Sequence, residues 1–290
     1  MQATVGVIGG SGLYEMEGLR EIEEVRLSTP FGEPSDAYVI GTIEGRRVAF
    51  LSRHGRGHRR TPTEVNYRAN LYGMKLLGVE RIFSASAVGS LREEIAPLHI
   101  VLPDQFVDRT RHRPSTFFGE GLVAHVSLAE PFCPELRSLL AASGRGQGLT
   151  VHDGGTYLCI EGPQFSTKAE SRIYRALGLS VIGMTNATEA RLAREAEFCY
   201  ATIALVTDYD TWHDEEEPVT VEAILGRLQQ NAKAARRLVR DSIAALPSAR
   251  ACPCGESLRN SIITDPAAID PAVRERLRPL IGRHLEGGKS

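Results

Sequence analysis

Thr207-Asp208-Tyr209-Asp210 sets two carboxylates two residues apart, directly after the nearly apolar run 201–206. If that run is a strand, side chains at i and i+2 leave the same face, so both acids would meet one ligand together. Such a pair can accept from an amino group and, when one member holds a proton, donate to a ring nitrogen. Like charges in a partly desolvated site push one pKa upward, which keeps that proton available near neutral pH. A solvated turn or a helix cap would account for either aspartate taken singly.

A second chemistry-bearing stretch is Arg53-His54-Gly55-Arg56-Gly57-His58-Arg59-Arg60, which follows the apolar residues 48–51. Guanidinium groups offer bidentate donors and an imidazole one more, a set suited to a phosphate dianion, although an exposed basic loop has the same composition. At the N-terminus, a run too short for a helix empties into Gly9-Gly10-Ser11-Gly12. Glycines there let backbone N–H groups face an anion and Ser11 adds a hydroxyl donor, making half of a phosphate cradle or simply a tight connection. A dinucleotide fingerprint counted from Gly10 would need glycine where Glu15 stands, and no clear helix follows. The small residues of 84–90, Ser86 and Ala87 among them, would let backbone groups reach a bound ligand.

The elements that must carry these groups are legible in outline. Apolar, β-rich runs recur at 37–43, 47–51, 81–85, 99–102, 157–160, 181–184 and 200–207. Between them lie helix starts: Thr61-Pro62-Thr63-Glu64, with a helix expected to run to about Leu77 before Gly78, then Thr167 with Glu170, Asn186 with Glu189, and Asp270 before Pro271. Residues 219–245 read as a long amphipathic helix and 272–284 as a last one. Strands alternating with capped helices predict an α/β fold: a mixed, mostly parallel central sheet with helices on both faces and a hairpin around Gly45. Ligands of such sheets bind beyond the carboxyl ends of the strands, where 9–12, 52–57, 86–90, 184–186 and 207–210 fall.

Composition sets the outer limits. The 290 residues are 42% hydrophobic and 24% charged with a formal charge of -2, an ordinary globular balance that argues against a nucleic-acid surface and for a small ligand. One domain over 1–290 accommodates the length, with 246–290 as a C-terminal extension. No apolar run approaches the roughly eighteen residues of a membrane span, and the N-terminus lacks a basic region or cleavage site, so a cytoplasmic protein is expected. Cys133, Cys159 and Cys199 read as buried thiols. Cys252-Pro253-Cys254 is too tight for the usual paired zinc-ligand spacing and has no neighbouring pair in sequence, so reduced thiols are expected, a redox-sensitive disulfide less so, and no metal.

Taken together these segments resemble the methylthioadenosine phosphorylase branch of the trimeric purine nucleoside phosphorylases, over about residues 4–245. The likeness rests on Gly9-Gly10-Ser11-Gly12-Leu13, Thr29-Pro30-Phe31-Gly32, Arg53-His54-Gly55, Gly89-Ser90, Asp104-Gln105-Phe106-Val107-Asp108-Arg109-Thr110, Glu161-Gly162-Pro163, Phe165-Ser166, Met184-Thr185 and Asp208-Tyr209-Asp210. The resemblance implies a purine nucleoside phosphorylase-like fold and phosphorolysis of a nucleoside with no metal or organic cofactor, phosphate being a co-substrate. It implies phosphate binding by Ser11, Arg53, His54, Ser86, Ala87 and Thr185, with Met184 along the ribose and Phe165 against the purine. Asp208 and Asp210 would hold the adenine edge, Asp208 as the donor to N7, and His125 would reach a neighbouring subunit's 5′ pocket, making the active unit a homotrimer or a pair of trimers.

Three positions bear on substrate choice within that family. Relatives acting on 6-oxopurines resemble this chain but typically carry Asn in place of Asp208, Glu in place of Ser166, and His near Val221. A carboxylate suits a 6-amino donor, and Val221 suits a methylthio group, so S-methyl-5′-thioadenosine is expected ahead of inosine, guanosine or methylthioinosine. A nucleoside-binding module without turnover is the reading from another class. The chain departs from many relatives at Leu98-His99, where they have Gly-Asp, and at Asn186-Ala187-Thr188-Glu189, which follows the Met-Thr pair.

Overall fold

The computed structural model describes residues 2–10, 16–213 and 221–286. Strand β1 (Val5–Gly9) is buried along its length, and β2 (Arg20–Val25) is a charged, exposed edge strand. The expected hairpin is β3 (Tyr38–Ile43) and β4 (Arg46–Ser52), turning through Glu44 and Gly45 with φ of 48° and 73°. Two positive φ values in a row match the twist of the flanking strands, and glycine takes the second at little cost.

The helix expected from Thr61 starts later. Thr61 and Glu64 do form reciprocal hydrogen bonds, Thr61 N donating to Glu64 Oε2 at 2.8 Å, but they close a single turn. Helix α1 (Tyr67–Leu76) begins at the next cap, Asn66, whose side chain accepts from Ala69 N. The chain continues through β5 (Arg81–Ser90), β6 (Ile100–Leu102), β7 (Gln105–Asp108), α2 (Pro134–Gly146), β8 (Val151–Asp153) and β9 (Thr156–Cys159). Then come α3 (Lys168–Ala176), β10 (Val181–Gly183), α4 (Asn186–Glu195), β11 (Cys199–Asp208), α5 (Val221–Ala244) and α6 (Pro271–Glu286). Thr167 and Glu170 form the expected capping box of α3. At α4 the expectation fails: Thr185 is the cap residue, Asn186 is the first helical residue, and Glu189 turns into the core.

The sheet runs β2-β3-β4-β1-β5-β10-β9-β7, with β11 joining β5 to β6 and β8 beyond. Pairings of β1 with β4 and β5, of β11 with β5, of β9 with β10 and β7, and of β6 with β8 are parallel. Those of β2 with β3, β3 with β4, β10 with β5 and β11 with β6 are antiparallel. The architecture is therefore the expected mixed, mostly parallel α/β sheet. Alternation along its strands divides the core between two faces. Val5, Val7, Val48 and Phe50 pack with Leu136 and Leu140 of α2 and Leu238 of α5, whereas Ile8, Ala49 and Leu51 pack with α1, α4 and Leu277, Leu280 and Ile281 of α6. The segment after residue 246 thus fills one face of the same core.

Strand β5 is the branch point. Its first half, to Ser84, pairs with β1, and its end, Gly89 and Ser90, pairs with β10. The sheet opens where β1 stops, at the carboxyl ends of β1 and β4.

Leu98 has φ of 70° in the turn that closes His99 N onto Ala96 O. A leucine pays a steric cost there that glycine does not. Leu98→Gly is expected to raise unfolding free energy by up to about 1 kcal/mol, strain relief being partly offset by unfolded-state entropy, as measured by denaturant titration.

Candidate active site

Backbone geometry brings Arg53 to the opening beside β5. Arg53 N donates to Gly9 O at 2.9 Å, tying the cationic loop to the end of β1. Its guanidinium, 3% exposed, donates to Ala85 O at 2.9 Å and Ser84 Oγ at 2.7 Å, and forms a two-point ion pair with Glu189. Glu189 is 1% exposed and also accepts from Ser84 Oγ and Tyr200 Oη, each at 2.8 Å. Burial alone would raise the Glu189 pKa, but the Arg53 charge and these hydrogen bonds bring it below the ordinary carboxylate value. Asn186 Nδ2 extends the network to Tyr200 Oη and Thr202 Oγ1. A buried charge pair of this kind is stable only when most of its remaining valences are met, and here four guanidinium hydrogen bonds and the Ser84 and Tyr200 hydroxyls meet them.

His54 lies next to it, half-buried, stacked on His58 with ring centres 4.3 Å apart. Its Nδ1 is 2.9 Å from Arg60 O, and since a carbonyl only accepts, Nδ1 carries the proton. Burial first, then the Arg53 charge, lowers its pKa to about 4. At neutral pH the ring is therefore uncharged with Nε2 an acceptor, so it suits the hydroxyl of a hydrogen phosphate instead of the donor role expected from sequence. Ser86 is buried with Oγ 3.2 Å from Tyr157 Oη, and Ala87 is exposed at the strand edge. Thr185 begins α4 without capping it, which leaves that helix N-terminus with no side-chain acceptor of its own. Ser11 lies outside the described residues, as does the side chain of Val221.

At the other end of the opening, Asp208 pairs with Gly89 in the β11–β5 register after a bulge. Asp208 Oδ1 accepts from Asp210 N at 2.8 Å and Oδ2 from Thr207 Oγ1 at 2.6 Å. Asp210 holds a left-handed backbone, φ 49°, is 8% exposed, and accepts from Ser171 Oγ of α3. Burial raises its pKa to about 6; the Ser171 hydrogen bond opposes the rise and the Asp208 charge adds to it. The raised pKa is that of Asp210, whereas the resemblance implies Asp208 as the donor to N7. Ser166 is 7% exposed and its hydroxyl lies beside the Asp210 carboxyl, where it favours the ionised form, and Phe165, 54% exposed, lines a cleft of about 530 Å³ with Ile160, Gly162 and Tyr174.

Met184 sits between the two ends. The β10–β5 register, Val181 with Ser90 and Ile182 with Gly89, carries it to the level of Ala87. Its side chain lies where a Cβ on Gly162 would be 2.5 Å from Sδ, so glycine, at φ 67°, is required there. Arg113, 9% exposed, fixes this corner by donating to the carbonyls of Met184 and Glu161 and to Glu161 Oε1 at 3.1 Å. Glu161 is held at about pKa 2 because hydrogen bonds from Thr63 and Arg111 N and the Arg113 charge overcome its burial. His125 is exposed, its backbone N donating to Ser261 O at 2.8 Å.

Arg53, Met184 with Thr185, and the aspartates therefore stand in that order along one strand, from Ser84 to Gly89, a span of roughly 15 Å. Sequence reading missed Glu189 as the partner of Arg53, Arg113 as the clamp on Met184, and Ser171 as the donor to Asp210. Only Glu189 leaves a signal, and its position three residues after Asn186 reads as a capping box. Gly89 gives a direct test of this arrangement: a Cβ there would lie 2.9 Å from Asp208 Oδ1 and 3.2 Å from Asp210 Cβ. Gly89→Ala is expected to lower kcat/KM by about 10–100-fold by displacing both acids, with a stability loss of about 1–3 kcal/mol, read by steady-state kinetics alongside thermal unfolding.

The geometry agrees with what known proteins show. The family model described as the phosphorylase superfamily matches residues 4–244. The S-methyl-5′-thioadenosine phosphorylase of Koribacter versatilis is 57% identical over 285 residues, covering 98% of each chain, and that of Geobacter sulfurreducens is 57% identical over 98% of this chain and 100% of its own. Among solved structures, a methylthioadenosine phosphorylase from an antarctic soil metagenomic library superposes with a TM-score of 0.93 at 47% identity, covering 97% of this chain and 99% of the other. A methylthioadenosine phosphorylase from Schistosoma mansoni in complex with adenine gives 0.81 at 37% identity, covering 85% and 93%. The buried guanidinium at one end of β5, the acid pair at the other and this full-length likeness have one explanation: the chain belongs to the phosphorylase superfamily, in its methylthioadenosine phosphorylase branch.

Proposed function

We propose that the protein cleaves S-methyl-5′-thioadenosine with phosphate, giving adenine and 5-methylthioribose 1-phosphate. The observation that carries this reading is the order of groups along β5: an anion end at Arg53 and the start of α4, a thioether at Met184, and an acid pair at Gly89. Phosphate at the anion end would be held by hydrogen bonds and the positive helix terminus. One of its oxygens forms the bond to C1′ as the C1′–N9 bond breaks and the electron pair passes into the purine. N7 of the leaving base takes a proton or a strong hydrogen bond from the aspartate pair, while the second, ionised carboxylate accepts from the 6-amino group. Bound phosphate faces C1′ as positive charge develops there, which stabilises the transition state electrostatically.

The buried Ser166 hydroxyl beside Asp210 and the exposed face of Phe165 would complete the base site. The resemblance makes the working unit a homotrimer in which His125 closes a neighbour's 5′ pocket, and the five free cysteines fit a cytoplasmic enzyme. No organic cofactor enters this chemistry. The test is to incubate the purified protein with phosphate and either S-methyl-5′-thioadenosine or inosine and follow base release. Adenine release with a kcat/KM well above that for inosine is expected; a preference for inosine would reassign the substrate, and no phosphate-dependent release from either would leave only a binding module.

A further inference from the structure

Four of the five cysteines meet in the fold, from three separate parts of the chain. Cys133 is the residue before α2, Cys199 opens β11, and Cys252 and Cys254 flank the start of the short 3-10 turn Pro253–Glu256. Their four sulfurs lie within 4.8 Å of one another, Cys252 Sγ standing 3.2 Å from Cys199 Sγ and 3.6 Å from Cys133 Sγ. The premise that Cys252 and Cys254 lack a second pair is therefore overturned: the second pair is Cys133 and Cys199, invisible in sequence because 66 and 53 residues separate them from their nearest partners along the chain.

We propose that this cluster is a tetrathiolate zinc site. Zinc takes four thiolates tetrahedrally at about 2.3 Å, which sets neighbouring sulfurs about 3.8 Å apart, and the two measured separations and the 4.8 Å limit bracket that edge. A disulfide would need about 2.05 Å. Cys133, Cys199 and Cys254 are 1%, 0% and 1% exposed and Cys252 is half-buried, so the ion would be shielded and would offer no open position to a substrate. Binding replaces four S–H bonds with four Zn–S bonds and releases four protons. The resulting charge of two negatives meets the positive N-terminal end of α2 at Cys133, and the backbone of the buried Arg81 is the register partner of Cys199 on β5. Glu135 has the opposing sign, and its Oε2 is taken up by the backbone N–H groups of Ala251 and Cys252, which shapes the loop that presents two of the ligands.

The role is structural. Asp208 ends the ten-residue strand that Cys199 begins, so the cluster stands about 30 Å from the acid pair along β11. What it fastens is the chain after α5, the stretch that leads to α6, to the helix and strand of the main core that Cys133 and Cys199 belong to.

The full-length protein, produced in zinc-supplemented medium and purified with a reductant and without chelator, decides the matter. Elemental analysis and intact mass under native conditions are expected to find close to one zinc per chain. Exchange with cobalt(II) is expected to give intense thiolate-to-metal charge-transfer absorption with the visible bands of a tetrahedral site. Both signals should be lost in Cys252→Ser combined with Cys254→Ser. Stoichiometric absence of zinc, with four titratable thiols or with two disulfides found by peptide mapping, overturns the proposal. The wild-type measurement alone is decisive if the double variant fails to fold.

Discussion

Replacing Asp208 by alanine is expected to lower kcat for S-methyl-5′-thioadenosine by about 10²–10⁴-fold, the range that general acid catalysis typically supplies. Phosphate affinity should change little, because Asp208 lies at the Gly89 end of β5 and Arg53 at the Ser84 end. Asp210→Ala should lose a comparable factor. The two are one unit: Asp210 N donates to Asp208 Oδ1, and the Asp208 charge helps raise the Asp210 pKa to about 6. Their titration therefore belongs to the pair and not to either residue.

The pH dependence follows with a definite sign. Protonating the leaving purine needs one proton on the pair. A group whose pKa is raised to about 6 is protonated below that value and loses its proton as pH rises through it. kcat/KM, which reports the free enzyme, should therefore fall as pH climbs past about 6, approaching tenfold per unit. Ser171→Ala removes a hydrogen bond that favours the ionised form, so its descending limb should move to higher pH. A flat profile between pH 5.5 and 8.5 in wild type, with both alanine variants still active, would remove the acid role.

The parts of the site legible in sequence were those whose signal is local. Arg46–Ser52 and Cys199–Asp208 are largely apolar runs that end in polar residues and Val5–Gly9 is an apolar run that ends in glycine, and such patterns mark strands whose carboxyl ends open onto a loop or a ligand. Edge strand β2 was missed because its Arg-Glu-Ile-Glu-Glu-Val pattern buries nothing and so lacks the alternation that betrays a half-buried strand. Helix α2 was missed because its buried face rests on Leu136, Leu140, Ala141 and Gly144, and small residues carry little hydrophobic contrast. The buried partners of Arg53 and Met184 and the assembly of the four thiols are products of tertiary closure. No window of neighbouring residues contains them.

The largest stability effect should come from the centre of that closure. Glu189→Ala leaves the Arg53 guanidinium 3% exposed with only Ala85 O and Ser84 Oγ as acceptors, and uncovering one partner of a buried pair typically costs about 3–5 kcal/mol. For a chain of this size that corresponds to a fall in Tm of roughly ten degrees. Arg53→Ala is expected to be as harmful, since it strands a carboxylate that is 1% exposed and leaves Ser84 and Tyr200 to satisfy it. The double variant removes both charges together, so its loss should be smaller than the sum of the two singles by more than about 1 kcal/mol. That coupling separates a structural role of Arg53, seen only in the fold, from the phosphate role that the resemblance implies. If Arg53 serves phosphate as well as Glu189, then Arg53→Lys, which keeps the charge but not the fork, should retain much of the stability and raise the KM for phosphate. Saturating phosphate should then raise the Tm of the wild type more than that of the lysine variant. Equal KM values and equal shifts would confine Arg53 to holding β1, β5 and α4 together, and the anion would have to be held by the helix terminus at Thr185 and the hydroxyl and backbone groups around it.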